Sequence, residues 1–356
     1  MKMKITRRKL NKALGIIRNT RINYDLVSFC GNMCKRYFTK RDADKTLPYP
    51  TTLMLELTNK CNLKCTMCPR EHIYGQDMNI GNMDTDLAYK IIDECYPYLQ
   101  SIGLTGLGET LFAPNLLDVA KYIKLKKKSI VIFISSNANM PDFIERITPV
   151  VPYIDTLQIS IDGVGEIYDK IRIGGSFHLL DENLQKLSPI IADGNVDVMF
   201  NMVVSMKNFE SMVDVIDFAH KRGVRFVNFS KLNLASIPEI DVATTYDFFK
   251  SKEYIEVCQR TLEKAHDYPE LEITGLDIQP EGTFHVCPLV YNSFQINQDG
   301  FVPPCCAKPF SKLMSFGNVK DSDVLSVLNS AAAKDFQRCW QMSRVPDFCR
   351  NCNVFL

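Results

Sequence analysis

The chain reads as an α/β protein built on a parallel sheet. From residue 52 onward, short β-rich runs alternate with longer helical patterns, which is the sequence form of repeated βαβ units. The alternation runs through six repeats, and a chain of 356 residues, 46% of them hydrophobic, can bury one large core and a smaller second one.

The expected strands are Leu53 to Thr58, Ser101 to Gly106, Ile130 to Ser135, Thr156 to Ile161, Val196 to Val204 and Arg225 to Ser230. Helices are expected between them at Thr85 to Leu99, Asn115 to Lys126, Pro141 to Val150, Phe177 to Ala192 and Asn208 to Arg222, with a further helical stretch from Thr244 to Asp267. Six repeats are too few for a closed eightfold barrel. In parallel α/β folds the ligand site lies at the carboxyl ends of the strands, so the residues just after each strand carry the interest.

Ahead of the first strand, residues 1–48 form a basic segment read as one or two short helices. It carries Arg7, Arg8, Lys9, Lys12, Arg18 and Arg21, with Leu10, Leu14 and Ile17 at helical spacing. The segment never develops a continuous apolar stretch, which excludes an export signal and a membrane span. A net charge of +1 argues against a dedicated nucleic-acid binder. Thirteen cysteines without a signal peptide point to a reducing compartment, and the expected location is the cytoplasm.

Directly after the first strand comes LTNKCNLKCTMCPR, with Cys61, Cys65 and Cys68. Three thiolates at this spacing can hold one corner of a cubane cluster and leave one iron without a protein ligand. A structural zinc knuckle fits less well, because His72 is the only nearby candidate for a fourth ligand. The Cys-x3-Cys-x2-Cys spacing resembles the signature of the radical S-adenosylmethionine (radical SAM) superfamily. That resemblance implies an incomplete, TIM-like (β/α)6 barrel over about residues 50–240 and a [4Fe-4S] cluster whose open iron chelates SAM. Electron transfer from the cluster then cleaves SAM to a 5′-deoxyadenosyl radical.

Other strand ends extend the resemblance. Gly106, Gly108 and Glu109 look like the family's glycine-glycine-glutamate element that meets the amino group of SAM, although Leu107 departs from the commonest form. Ser135 and Asn137 at the end of the third strand, and Ser160 and Asp162 at the end of the fourth, are similar to positions that contact the SAM ribose. Arg172 resembles a family arginine that pairs with the SAM carboxylate, a task suited to a guanidinium fork.

A second cysteine set, Cys287, Cys305, Cys349 and Cys352, lies toward the C-terminus. Asp299-Gly300 between two strand-like runs signals a hairpin. The pattern resembles the SPASM domain and more closely its short twitch variant. It implies one auxiliary [4Fe-4S] cluster held within residues 275–356, joined to the core by a helical connection over 241–274. Four thiolates can close such a cluster completely; a zinc site made of the same cysteines is the competing interpretation.

The resemblance implies an enzyme, an oxidoreductase or epimerase, acting on a small polar metabolite of sugar or aminocyclitol type. An electron donor such as a flavodoxin or ferredoxin is implied as a partner. Two alternatives stand beside it: a maturase acting on a peptide or protein side chain, and a non-catalytic iron–sulfur electron-transfer protein. His285 and Tyr291, which flank Cys287, are further candidates for substrate contact.

Overall fold

The computed structural model describes residues 31–34, 45–276, 287 and 289–353. Most of the basic N-terminal segment, and His285, lie outside the described residues.

Among the described residues, eight strands form one sheet: β1 (Thr52–Leu55), β2 (Ser101–Gly103), β3 (Val131–Ser136), β4 (Thr156–Ser160), β5 (Asp197–Val204), β6 (Phe226–Lys231), β7 (Glu272–Thr274) and β8 (Ser293–Ile296). Their order is β7-β6-β5-β4-β3-β2-β1-β8, and every pairing is parallel. The sheet is open, with β7 and β8 at its edges, so the incomplete TIM-like barrel expected from the sequence is the fold. From β1 to β7 the order never reverses. Right-handed crossovers therefore put their helices on one face and leave the other for a ligand.

Among the described residues from 45 onward, the helices are α1 (Thr85–Cys95), α2 (Leu116–Lys126), α3 (Phe143–Ile147), α4 (Glu166–Ile171), α5 (Phe177–Asp193), α6 (Met212–Arg222), α7 (Val242–Phe248) and α8 (Lys252–Ala265), then α9 (Leu289–Asn292), α10 (Val324–Leu328) and α11 (Ala331–Gln341). In β3, Ile132 and Ile134 are buried in the core while Phe133 and Ser135 are only half-buried. This period-2 pattern separates a helix-covered face from an open one. Asp84 caps α1 by accepting from the backbone N–H of Asp86 and Leu87, and the helix then buries Leu87, Ile91 and Ile92. Each such side chain contributes about 1.5–3 kcal/mol, so a charge at Ile91 would unseat the helix.

Several boundaries differ from expectation. α1 stops at Cys95, two residues before Pro97. The region expected as helix from Pro141 to Val150 is helical only over Phe143–Ile147, because Pro149 and Pro152 interrupt it. The expected helix from Thr244 to Asp267 is two helices, the second capped by Ser251 accepting from the N–H of Tyr254. Two strands beyond the six were not expected in the sheet. β8 is the first arm of the predicted hairpin, and it pairs with β1 through Leu55 opposite Ile296. The turn itself is present, with Gly300 at φ +88°, and the second arm bridges Phe301 to Asn318.

Candidate active site

The loop after β1 presents Cys61, Cys65 and Cys68, each half-buried and free. Hydrogen-bond donors already surround their sulfurs. Leu63 N–H reaches Cys61 Sγ at 3.5 Å, Asn137 Nδ2 reaches it at 3.8 Å, and Arg172 Nη1 lies 3.9 Å from Cys65 Sγ. Burial pushes the Cys65 thiol up to about 12, with Arg172 pulling against it. A thiol so placed becomes a thiolate readily only beside a strong positive charge such as a metal centre.

The loop after β2 packs directly on the cysteine loop. A Cβ on Gly108 would lie 2.5 Å from the Thr58 carbonyl oxygen and 2.7 Å from that of Lys60, so only glycine permits the approach. The N–H of Glu109 donates to Lys60 O at 2.8 Å, fixing the contact. The side chain of Glu109 is 2% exposed. Its carboxylate accepts from Asn137 N at 2.7 Å and Leu111 N at 3.2 Å, and burial raises its pKa against these bonds. Gly106, Gly108, Glu109, Asn137 and the three cysteines are thus gathered at one end of the sheet. Ser135 and Ser160 sit half-buried on the strands beside them.

Arg172 and Asp162 show an arrangement that the sequence left hidden. Arg172 Nη2 pairs with Asp162 Oδ2 at 2.8 Å, and Asp162 Oδ1 accepts from Val203 N at 2.9 Å. Asp162, expected at a ribose hydroxyl, therefore has both carboxylate oxygens engaged by protein. Arg172 keeps one buried donor, Nε, without a partner. An orphaned guanidinium N–H beside the cysteine loop suits an incoming carboxylate.

Glu56 was missed by the sequence reading. Fully buried at the end of β1, it accepts from Leu107 N at 2.7 Å and Gln298 N at 3.3 Å, and burial pushes its pKa up to about 7. It ties the glycine-rich loop to the C-terminal segment. Its only sequence signal is a lone acid in the apolar run LMLEL.

The second cysteine set converges as well. Cys287, Cys305, Cys349 and Cys352 line one cavity whose other walls include Leu289, Val290, Phe336 and Phe348. Cys306 is exposed, and Cys339 lies next to Arg344, 3.4 Å from its Nη2. Ala307 N–H reaches Cys305 Sγ at 3.3 Å, and Asn233 Nδ2 reaches Cys352 Sγ at 3.5 Å. Among the described residues no three Cys, His, Asp or Glu side chains stand close enough to hold a single metal ion. Four thiols spread round one apolar cavity, with no tight three-ligand group among them, suit a cubane better than a single zinc ion. Tyr291 is buried in the core beside this region. No described helix is long and apolar enough to cross a membrane.

Residues 55–248 match the radical SAM superfamily, and residues 287–353 match the SPASM iron–sulfur cluster-binding domain. The chain belongs to the radical SAM superfamily. It is a radical SAM enzyme whose cofactors are a [4Fe-4S] cluster, SAM and auxiliary iron–sulfur. Among curated proteins it is 24% identical to the tungsten-containing aldehyde ferredoxin oxidoreductase cofactor-modifying protein of Pyrococcus furiosus, over 78% of this chain and 80% of that one. It is 23% identical to the antilisterial bacteriocin subtilosin biosynthesis protein AlbA of Bacillus subtilis, over 90% of this chain and 68% of that one. In fold it resembles Streptococcus suis SuiB bound to its precursor peptide SuiA, with TM-score 0.64 at 15% identity, covering 98% of this chain and 80% of that one.

Proposed function

We propose that this enzyme is a maturase that modifies a side chain of a peptide or protein by radical SAM chemistry. The observation that carries the reading is the likeness to AlbA along 90% of the chain. The SuiB complex with its precursor peptide is consistent with it. This shifts the substrate from the small polar metabolite expected from the sequence to the peptide alternative.

With its cofactors bound, the site supplies a carbon radical able to abstract hydrogen from an unactivated C–H bond. Cys61, Cys65 and Cys68 would hold the cluster. Glu109 would accept from the SAM ammonium with the lone pairs its backbone donors leave free, and Arg172 Nε would donate to the SAM carboxylate. Ser135, Asn137 and Ser160 would border the ribose. Asp162 holds Arg172 in place. Cys287, Cys305, Cys349 and Cys352 would hold one auxiliary cluster.

The test is formation of 5′-deoxyadenosine by the reconstituted, reduced enzyme, with Cys61→Ala as control. Peptide and small-metabolite fractions of the native host's extract are supplied separately. Stimulation by the peptide fraction alone, with a mass change in one peptide, is expected. Stimulation by the metabolite fraction alone would overturn the reading.

A further inference from the structure

Two residues outside the cysteine set face the C-terminal thiol cavity with positive or proton-donating groups. Lys308 lines the cavity together with Cys305 and Cys349. Its ammonium lies 5.1 Å from the ring centre of Tyr74 and 5.0 Å from that of Phe348, and it donates to Phe348 O at 3.2 Å. Two aromatic faces and a carbonyl oxygen thus fix the cation at the wall of a largely apolar space. Tyr74 belongs to the loop that follows Cys68, so the same lysine fastens the first cysteine loop to the second site.

The second residue, Asn233, comes from the core, two positions beyond the end of β6. Its Oδ1 accepts from Ala235 N at 2.9 Å, which fixes the amide orientation and turns Nδ2 toward Cys352 Sγ at 3.5 Å and Asn353 Oδ1 at 3.0 Å. The Tyr246 hydroxyl donates to Asn351 O at 2.7 Å, and Ser236 Oγ donates to Ala307 O at 2.6 Å. These bonds lock the loop after β6 against the cysteine-bearing segments.

We infer that Lys308 and Asn233 are positioning residues that raise the reduction potential of the auxiliary cluster. The inference rests on the assignment of Cys287, Cys305, Cys349 and Cys352 as its ligands. A cluster held by four thiolates gains one negative charge on reduction. A fixed cation across an apolar cavity and an N–H directed at a ligand sulfur both stabilise the more negative form. The apolar walls weaken screening, so each group acts more strongly than it would at the surface.

The test uses the full chain with Cys61, Cys65 and Cys68 all changed to Ala, which leaves the auxiliary site alone. After anaerobic reconstitution, iron per chain is counted and the midpoint potential is read by EPR-monitored titration. Lys308→Met is expected to lower the potential by at least a tenfold shift in the reduction equilibrium, 59 mV for one electron. Lys308→Arg keeps the charge and is expected to stay near the parent. Asn233→Ala is expected to lower the potential severalfold in the same equilibrium. The two sites carry the inference independently, so a variant that folds poorly at one leaves the other to decide. Potentials unchanged in both variants, with about four irons retained per chain, would overturn the inference alone. Loss of iron in the parent would overturn the ligand assignment and the inference with it. Neither result touches the choice between peptide and metabolite substrates.

Discussion

The two cysteine sites of this chain are built in opposite ways. The first places three thiols within eight residues on one loop and surrounds them with buried polar groups: Glu109, Asn137, and the Arg172–Asp162 pair. The second draws four thiols from 287 to 352 and encloses them largely in Leu289, Val290, Phe336 and Phe348. A site that must admit a zwitterionic ligand keeps unfilled polar capacity, such as the orphaned Arg172 Nε. A site that its own thiols close needs only packing and a few donors to sulfur.

The largest expected effect breaks the ionic frame of the first site. Arg172→Met leaves Asp162 buried without its partner, and a loss of about 3–5 kcal/mol in unfolding free energy is expected by denaturant titration. A loss below about 1 kcal/mol would mean that the pair behaves as a solvated surface contact.

Glu56, which joins the two regions, comes next. Its pKa is raised from 4.5 to about 7 by burial, so the folded chain binds this proton more tightly than the unfolded chain does. Between those values stability therefore falls as pH rises, and it levels off above about 7; the total is up to about 3 kcal/mol. Unfolding curves for wild type and Glu56→Gln across that window check the sign, since the variant is expected to lose this slope.

A smaller effect tests the ligand side of the first site. Glu109→Gln keeps the shape but removes the charge proposed to meet the SAM ammonium, and a ten- to hundredfold weaker SAM affinity is expected by calorimetry, in line with about 1.5–3 kcal/mol for a charged hydrogen bond. Undiminished affinity would place the SAM amino group elsewhere. At the bottom of the scale, Cys306→Ser is expected to leave iron content unchanged, because its side chain lies outside the cavity wall. A loss of about four irons would put Cys306 in place of one of the four proposed ligands.

What was legible in the sequence follows the same contrast. The Cys61–Cys68 motif could be read because its chemistry is local, and the strands up to β6 could be read because each is a short β-rich run. The four C-terminal cysteines were singled out by type and order, and the fold brings them to one cavity. Asn233 could not be read, because it meets Cys352 across 119 residues of chain with nothing in its neighbourhood to announce the contact. Nor does the sequence around Lys308 announce its place between Tyr74 and Phe348, which come from distant segments. Arg172 and Asp162 were both singled out, yet each was assigned to the ligand rather than to the other. Their pairing depends on how the chain reverses through Gly163 and Gly165, both at positive φ. β8 read as a hairpin arm because sequence periodicity shows that a strand forms but not which edge it joins.

The most direct test of two unlike iron–sulfur sites in one chain is iron and zinc per chain after anaerobic reconstitution. Wild type is compared with a Cys61/Cys65/Cys68→Ala variant and a Cys287/Cys305/Cys349/Cys352→Ala variant. The two-site assignment predicts about eight irons in the wild type, about four in each variant, and no zinc. About four irons with bound zinc in the wild type, the zinc lost with the second set of cysteines, would contradict it.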